Sequence, residues 1–201
     1  MAKKESQPLY IVRRSSIHQK GVFARVDIPK GDKVIEYVGE KISKKESDRR
    51  GLERHQSAKE SGDGAVYIFQ INSKWDIDGN VKWNPARLIN HSCDPNCEAI
   101  QDEDRIWIHA KRAIQKGEEL SYDYGFDLDT WDEHPCRCGA KKCVGFIVGK
   151  QYWPELKRLK KEKKKKAKKE SKEKKKGGKK DKPKDKKKDK KKDKAKAGKK
   201  G

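Results

Sequence analysis

Long hydrophobic runs are missing from this 201-residue chain: apolar residues make up only 31% of it. No stretch is long enough to cross a bilayer, which needs about 20 consecutive apolar residues, and no apolar core of a leader peptide follows Met1. The expectation is a soluble, intracellular chain without a transmembrane segment. Cysteine is scarce and odd in number, five in all, which argues against a disulfide framework and for metal or thiol chemistry. The first 156 residues hold no internal repeat. Acidic residues are heavily outnumbered at the C-terminal end: from Lys157 to Gly201 there are 28 Lys and Arg against 7 Asp and Glu, which accounts for +21 of the net +22. The remainder is close to neutral, with 26 basic and 25 acidic residues. This is a near-neutral body with a polycationic appendage, and a single isoelectric point misdescribes it.

About 150 residues suffice for one domain with its own core. After a polar arm over residues 1–8, the apolar residues come in short runs: Tyr10-Ile-Val12, Val34-Ile35, Val66-Tyr-Ile-Phe-Gln-Ile71, Ile106-Trp-Ile108 and Phe146-Ile-Val148. Turn signals separate them, among them Pro29-Lys-Gly31, Gly62-Asp-Gly64 and Asp78-Gly-Asn80, so the fold is expected to be mainly β, built from many short strands. One segment breaks the pattern. Residues 42–64 are rich in Lys, Glu, Arg and Ser, and read as an exposed insert with Ser43 capping a solvated helix, more readily than as a binding element. Beyond Trp153-Pro154, lysine runs with scattered Glu, Asp, Ala and Gly bury almost nothing. Residues 150–201 are therefore expected to be a disordered basic tail, with a turn or two of helix after Pro154.

Three thiols stand within eight residues in Cys136-x-Cys138-x4-Cys143. Tetrahedral zinc takes four N or S ligands, so one must come from elsewhere. His134, Cys93 and Cys97 are the candidates, and spacing does not choose among them. A bound metal would staple a segment too small to fold alone.

Two further stretches carry polar and aromatic groups in apolar surroundings: Arg87-Leu-Ile-Asn-His-Ser-Cys-Asp-Pro-Asn96 and Glu119-Leu-Ser-Tyr-Asp-Tyr124. Buried Asn, His and Ser need partners, since an unsatisfied polar group costs about 1–3 kcal/mol. With the cysteine cluster, these stretches resemble the signature motifs of SET-domain protein lysine methyltransferases that carry a post-SET zinc module. The resemblance spans roughly residues 9–149.

It implies small sheets with a pseudoknot-like crossing over 9–126, then a zinc-bound post-SET segment over 127–149. It implies S-adenosylmethionine as cofactor, with Gln19, Lys20, Gly21, Tyr37, Arg87, Asn90 and His91 as contacts, and Zn2+ held by Cys93, Cys136, Cys138 and Cys143. Cys97 is then a spare, semi-buried thiol. Tyr124 takes the position of the catalytic tyrosine, Tyr67 that of a channel tyrosine, and Tyr122 that of the Phe/Tyr switch. A tyrosine there implies mono- or dimethylation. Phe146 and Ile147 are expected to wall the lysine channel.

The chemistry suits such parts. A lysine amine has an unperturbed pKa of roughly 10.4 and must lose its proton before it attacks; a narrow aromatic channel disfavours the charged form, and positioning does most of the rest. The family usually has Gly-x-Gly before Val-Phe-Ala; here Gln19-Lys20-Gly21 keeps only the second glycine, and no cysteine-rich pre-SET region is present. The expected substrate is a histone or another basic chromosomal protein. Residues 157–201 are expected to bind nucleic acid through counterion release and to offer lysines for self-methylation. Two rivals stand beside this reading: a catalytically weak chromatin or nucleic-acid binding module, to which Gln19 lends support, and a methyltransferase of non-histone proteins. Location follows the source: nucleus and chromosome in a eukaryote, cytoplasm and nucleoid or a secreted effector in a bacterium. Oligomeric state has no signal in the sequence.

Overall fold

A computed structural model describes residues 7–61 and 67–177. The strands, in chain order, are β1 (Tyr10–Arg14), β2 (Lys20–Ala24), β3 (Lys33–Tyr37), β4 (Glu40–Ser43), β5 (Ile68–Gln70), β6 (Trp75–Asp78), β7 (Asn90–His91), β8 (Cys97–Asp102), β9 (Arg105–Ala110) and β10 (Ser121–Tyr122). They form four small sheets, as the alternation of apolar runs and turns predicts. β1 pairs with β2, β9 lies between β3 and β8, and β6 lies between β4 and β5, all antiparallel. The fourth sheet is the exception: β7 and β10 run parallel, Ser121 opposite Asn90 and Tyr122 opposite His91. Parallel neighbours need a long connection between them, here supplied by the β8–β9 hairpin. That pairing lays the two polar motifs side by side.

Strand periodicity sets the core. In β9, Ile106, Ile108 and Ala110 point inward while Arg105, Trp107 and His109 do not. Val34 and Ile35 are both buried in β3 because the register shifts between Lys33 and Ile35, a bulge that turns two successive side chains inward. Val22, Ile28, Ile89, Ile108, Ile114 and Leu120 complete the centre.

Helix α1 (Lys44–Ser61) fills the segment read as an insert. Ser43 caps it as expected, its Oγ accepting the Glu46 N–H at 3.3 Å. The insert begins later than position 42, however, since Ile42 is buried in β4. It is also tied down: Lys44 pairs with Asp76, and Arg50 and Arg54 both pair with Asp78, two buried carboxylates of β6.

The chain divides after Leu156 into two units. The body extends past the expected boundary at 149: Val148 and Leu156 are fully buried, and the Trp153 indole N–H donates to the Val148 carbonyl at 3.1 Å. Helix α2 (Trp153–Gly177) replaces the turn or two expected after Pro154. Lys, Glu and Ala are strong helix formers, and proline is tolerated in a first turn. Residues 161–171 are exposed throughout, in keeping with a segment that buries almost nothing. Of the disordered tail expected over 150–201, residues 153–177 are helical and 178–201 lie outside the described residues, as do the first six residues of the polar arm over 1–8 and the Gly62-Asp-Gly64 turn.

Candidate active site and metal centre

Three remote segments meet at Asn90. Its carboxamide nitrogen lies 2.7 Å from Glu119 Oε1, 3.2 Å from Ser15 Oγ and 3.2 Å from the Lys20 carbonyl oxygen, and Ser15 Oγ donates to Glu119 Oε1 at 2.7 Å. Gly21 leaves room for this network: a Cβ at this position would lie 2.3 Å from Glu119 Oε1, so the carboxylate that Asn90 and Ser15 hold would have to move. The departure at Gln19 now has a structural meaning. Its φ is +26°, on the side of the map that glycine takes freely and other residues at a cost.

His91 is buried beside this knot. Its Nδ1 accepts the Tyr124 backbone N–H at 3.3 Å, which puts the ring proton on Nε2, 3.6 Å from Cys93 Sγ. Burial lowers its pKa, against the attraction of Asp123.

The rings of Tyr37, Phe69, Tyr122, Tyr124, Phe126 and His134 form an unbroken run, with successive centroids 4.6, 5.9, 5.0, 5.8 and 5.1 Å apart. Tyr124 also lies edge-on to His91 at 5.4 Å and donates its hydroxyl to the Ile89 carbonyl at 2.9 Å. Burial first, then neighbouring phenols, pushes the pKa of Tyr122 and Tyr124 upward, so both hydroxyls stay protonated at neutral pH. Tyr37 is buried and donates to the Tyr67 carbonyl at 2.9 Å. The half-buried Tyr67 ring has the Arg54 and Arg87 guanidiniums 5.9 and 5.8 Å from its centre. Arg87 thus lies against Tyr67, with no hydrogen bond to the Asn90 knot.

Cys93, Cys136, Cys138 and Cys143 bring their sulfurs within 4.8 Å of one another. Cys93 Sγ is 3.8 Å from both Cys136 Sγ and Cys143 Sγ. Four thiolates at about 2.3 Å around a tetrahedral zinc stand about 3.8 Å apart, so the donor set and its spacing fit that ion. The Cys138 pKa is brought down to about 7: burial opposes this, but the Cys93 and Ala140 amides and the neighbouring thiols outweigh it. Burial pushes Cys93 up to about 12. His134, the alternative fourth ligand, is instead engaged with Thr130 Oγ1 at 3.2 Å and set edge-on to Phe126. Cys97 is fully buried at 1% exposure, not semi-buried, with its pKa pushed up to about 12 by burial.

The sequence-predicted residues therefore fall into four groups: Gln19, Lys20, Gly21, Asn90 and His91; Tyr122 and Tyr124; Tyr37, Tyr67 and Arg87; and the four cysteines. Phe146 lies edge-on against Trp131 at 4.7 Å, and Ile147 donates its N–H to the His134 carbonyl, while the ring that reaches Tyr124 is Phe126, just ahead of this segment. Sequence reasoning misses Phe126, Ser15 and Glu119. Glu119 opens one of the quoted motifs, but no local signal marks Ser15, 104 residues away.

The SET domain profile matches residues 19–125, and the chain belongs to the SET domain family. It is 41% identical over 151 residues to a "Histone-lysine N-methyltransferase, H3 lysine-4 specific" of Chaetomium globosum, covering 72% of this chain and 14% of the relative. Proteins of the same description in Emericella nidulans (42% over 151 residues, 72% of this chain, 12% of the relative) and Schizosaccharomyces pombe (42% over 137 residues, 66% and 14%) are similarly close. The chain thus spans only 9–14% of the length of the curated relatives it matches.

Proposed function

We propose that this chain transfers a methyl group from S-adenosylmethionine to a lysine of histone H3, adding one or two methyls. The observation that carries the reading is the aromatic run in which two protonated phenols, Tyr122 and Tyr124, stand beside the Asn90–His91 pair. Relatives described as specific for H3 lysine 4 favour that substrate class.

The cofactor, when bound, supplies a methyl group on a positively charged sulfur. Electron-rich aromatic faces suit such a cation, and the Asn90 carboxamide and the Lys20 ammonium suit a zwitterionic amino-acid end. Asn90, His91 and the Gln19–Gly21 turn hold it, with Tyr37 bracing the adjoining wall. Tyr67, Tyr122 and Tyr124 form a narrow channel that disfavours the lysine ammonium and orients the neutral amine. Tyr124 spends its proton on the Ile89 carbonyl, so its oxygen faces the amine as an acceptor. Cys93, Cys136, Cys138 and Cys143 hold zinc, which ties residues 127–149 to the Asn90–Cys93 turn. The polycationic residues 157–201 bind nucleic acid, and the protein acts in the nucleus.

The test is methyl transfer from labelled S-adenosylmethionine to core histones, with Tyr124→Phe alongside. Label on H3 that falls at least 100-fold in the mutant supports the reading; absence of label on every acceptor rejects it. Binding to duplex DNA should weaken steeply between 50 and 200 mM salt, and a flat salt response would remove the tail assignment.

A further inference from the structure

Around Tyr67 the charges do not balance. The Asp78 carboxylate, buried in β6, accepts from Arg50 Nη1 at 2.8 Å, from the Asn80 backbone N–H at 3.0 Å and from Arg54 Nη2. Arg50 is further paired with Glu40 and Glu46. Asp78 therefore answers Arg54 through one of its nitrogens: Arg54 Nη1 is shut off from solvent with no hydrogen-bond partner among the described residues. Arg87, on the 3-10 turn Pro85–Leu88, has no hydrogen bond or ion pair among the described residues, and its Nε is likewise dry and unpartnered. Both guanidiniums lie within 6 Å of the centre of the same ring.

Tyr67 itself is held, since its carbonyl accepts from Tyr37 Oη at 2.9 Å and from the Gly79 N–H at 2.8 Å. A half-buried guanidinium with a dry, unfilled N–H is costly unless something completes it, and its planar fork is suited to oxygen acceptors. Contact with an aromatic face offsets only part of that cost.

We propose that Arg87, backed by Arg54, holds an acceptor oxygen of the peptide that carries the target lysine, and so positions that peptide rather than the cofactor. This rests on the proposed function: a lysine that reaches Tyr122 and Tyr124 past Tyr67 brings its main chain alongside the Tyr67 ring. The acceptor is an oxygen of the peptide, either a main-chain carbonyl or a carboxylate on a flanking residue.

The experiment uses the full chain loaded with zinc, a set of H3-type lysine peptides, and the variants Arg87→Gln, Arg87→Lys and Arg54→Lys. Peptide KM is measured in each, and cofactor affinity is measured separately by calorimetry. Arg87→Gln is expected to raise peptide KM at least tenfold with cofactor Kd within twofold. Arg87→Lys, which keeps the charge but loses the fork, is expected to fall between, and it serves if Arg87→Gln folds poorly. Arg54→Lys keeps the pair with Asp78 and should raise KM severalfold. An ester replacing the amide beside the lysine that weakens binding to wild type but not to Arg87→Gln identifies a carbonyl. A Glu-for-Gln gain confined to wild type identifies a carboxylate. Unchanged KM in the Arg87 variants, or an equal loss of cofactor affinity, overturns the subsite while leaving the methyltransferase standing. No transfer to any peptide by wild type overturns both.

Discussion

Gly79→Ala tests whether the Tyr37–Tyr67 wall is as tightly set as the geometry requires. A Cβ at position 79 would stand 2.3 Å from Cε1 and from the hydroxyl oxygen of Tyr37, and 2.4 Å from Cζ. Favourable carbon contacts lie near 3.5–4.0 Å, so the ring would have to retreat by about 1.2 Å. It has nowhere to go: Tyr37 is 1% exposed, and it stacks on Phe69 with centroids 4.6 Å apart. Overpacking of this kind costs about 1–3 kcal/mol, and loss of the Tyr37 hydroxyl bond to the Tyr67 carbonyl adds about 1 kcal/mol. A total of about 2–4 kcal/mol lowers the melting temperature by about 4–16 °C for a chain of this size. The matched control is Gly51→Ala in α1, where a Cβ meets nothing within 4 Å and the gain in helix propensity should stabilise by about 0.5–1 kcal/mol. Thermal melts followed by circular dichroism compare the two. A Gly79→Ala protein that melts with wild type, or above it, refutes the packing argument.

Other outcomes follow from the same geometry. Wild type should carry one zinc per chain by elemental mass spectrometry, Cys138→Ser should lose it, and a chelator should lower the melting temperature of wild type but hardly that of the mutant. Asn90→Ala withdraws the donor shared by Glu119, Ser15 and Lys20 and should cost about 1–3 kcal/mol, with a larger loss in cofactor affinity by calorimetry than Ser15→Ala produces. Hydrogen bonds from Arg49 and Arg50 hold the Glu46 pKa at about 2. Its support of α1 is thus present above the ordinary carboxylate range and lost as pH falls from there toward 2. Helical ellipticity should decline over that window, and Glu46→Gln should flatten the decline; an unchanged titration would count against it.

Much of this site is legible residue by residue. The Cys136–Cys143 spacing marks a metal segment on its own, because three ligands close in sequence are close in space. Asn90, His91, Tyr122 and Tyr124 stand out as polar and aromatic groups in apolar context, although their roles come from a family likeness. Phe126 and Ser15 do not stand out, since one sits in a loop without periodicity and the other is an ordinary serine in a polar turn. The helix of α1 and its Ser43 cap are legible, but its anchoring to the body and the length of α2 escape a reading in which charged surface residues count as solvated. Ion pairs to the buried Asp76 and Asp78 anchor the first, and intrinsic propensity carries the second.

Composition, turn chemistry and strand periodicity by themselves determined a mainly β body, the absence of any bilayer-length apolar run, and the separate basic end. These are local properties, written in side-chain size, charge and period. Spacing left the fourth thiol partner open, and a family likeness pointed to Cys93. The tertiary structure is what brings Cys93, and not His134, to the three clustered thiols, sets Asn90 against Ser15 and Glu119, and turns Arg87 to Tyr67. Those contacts join residues 20 to 75 positions apart and have no local preference to announce them. The parallel pairing of β7 with β10 across a long connection is what sets Asn90 and His91 beside Ser121 and Tyr122, and no local preference could announce it.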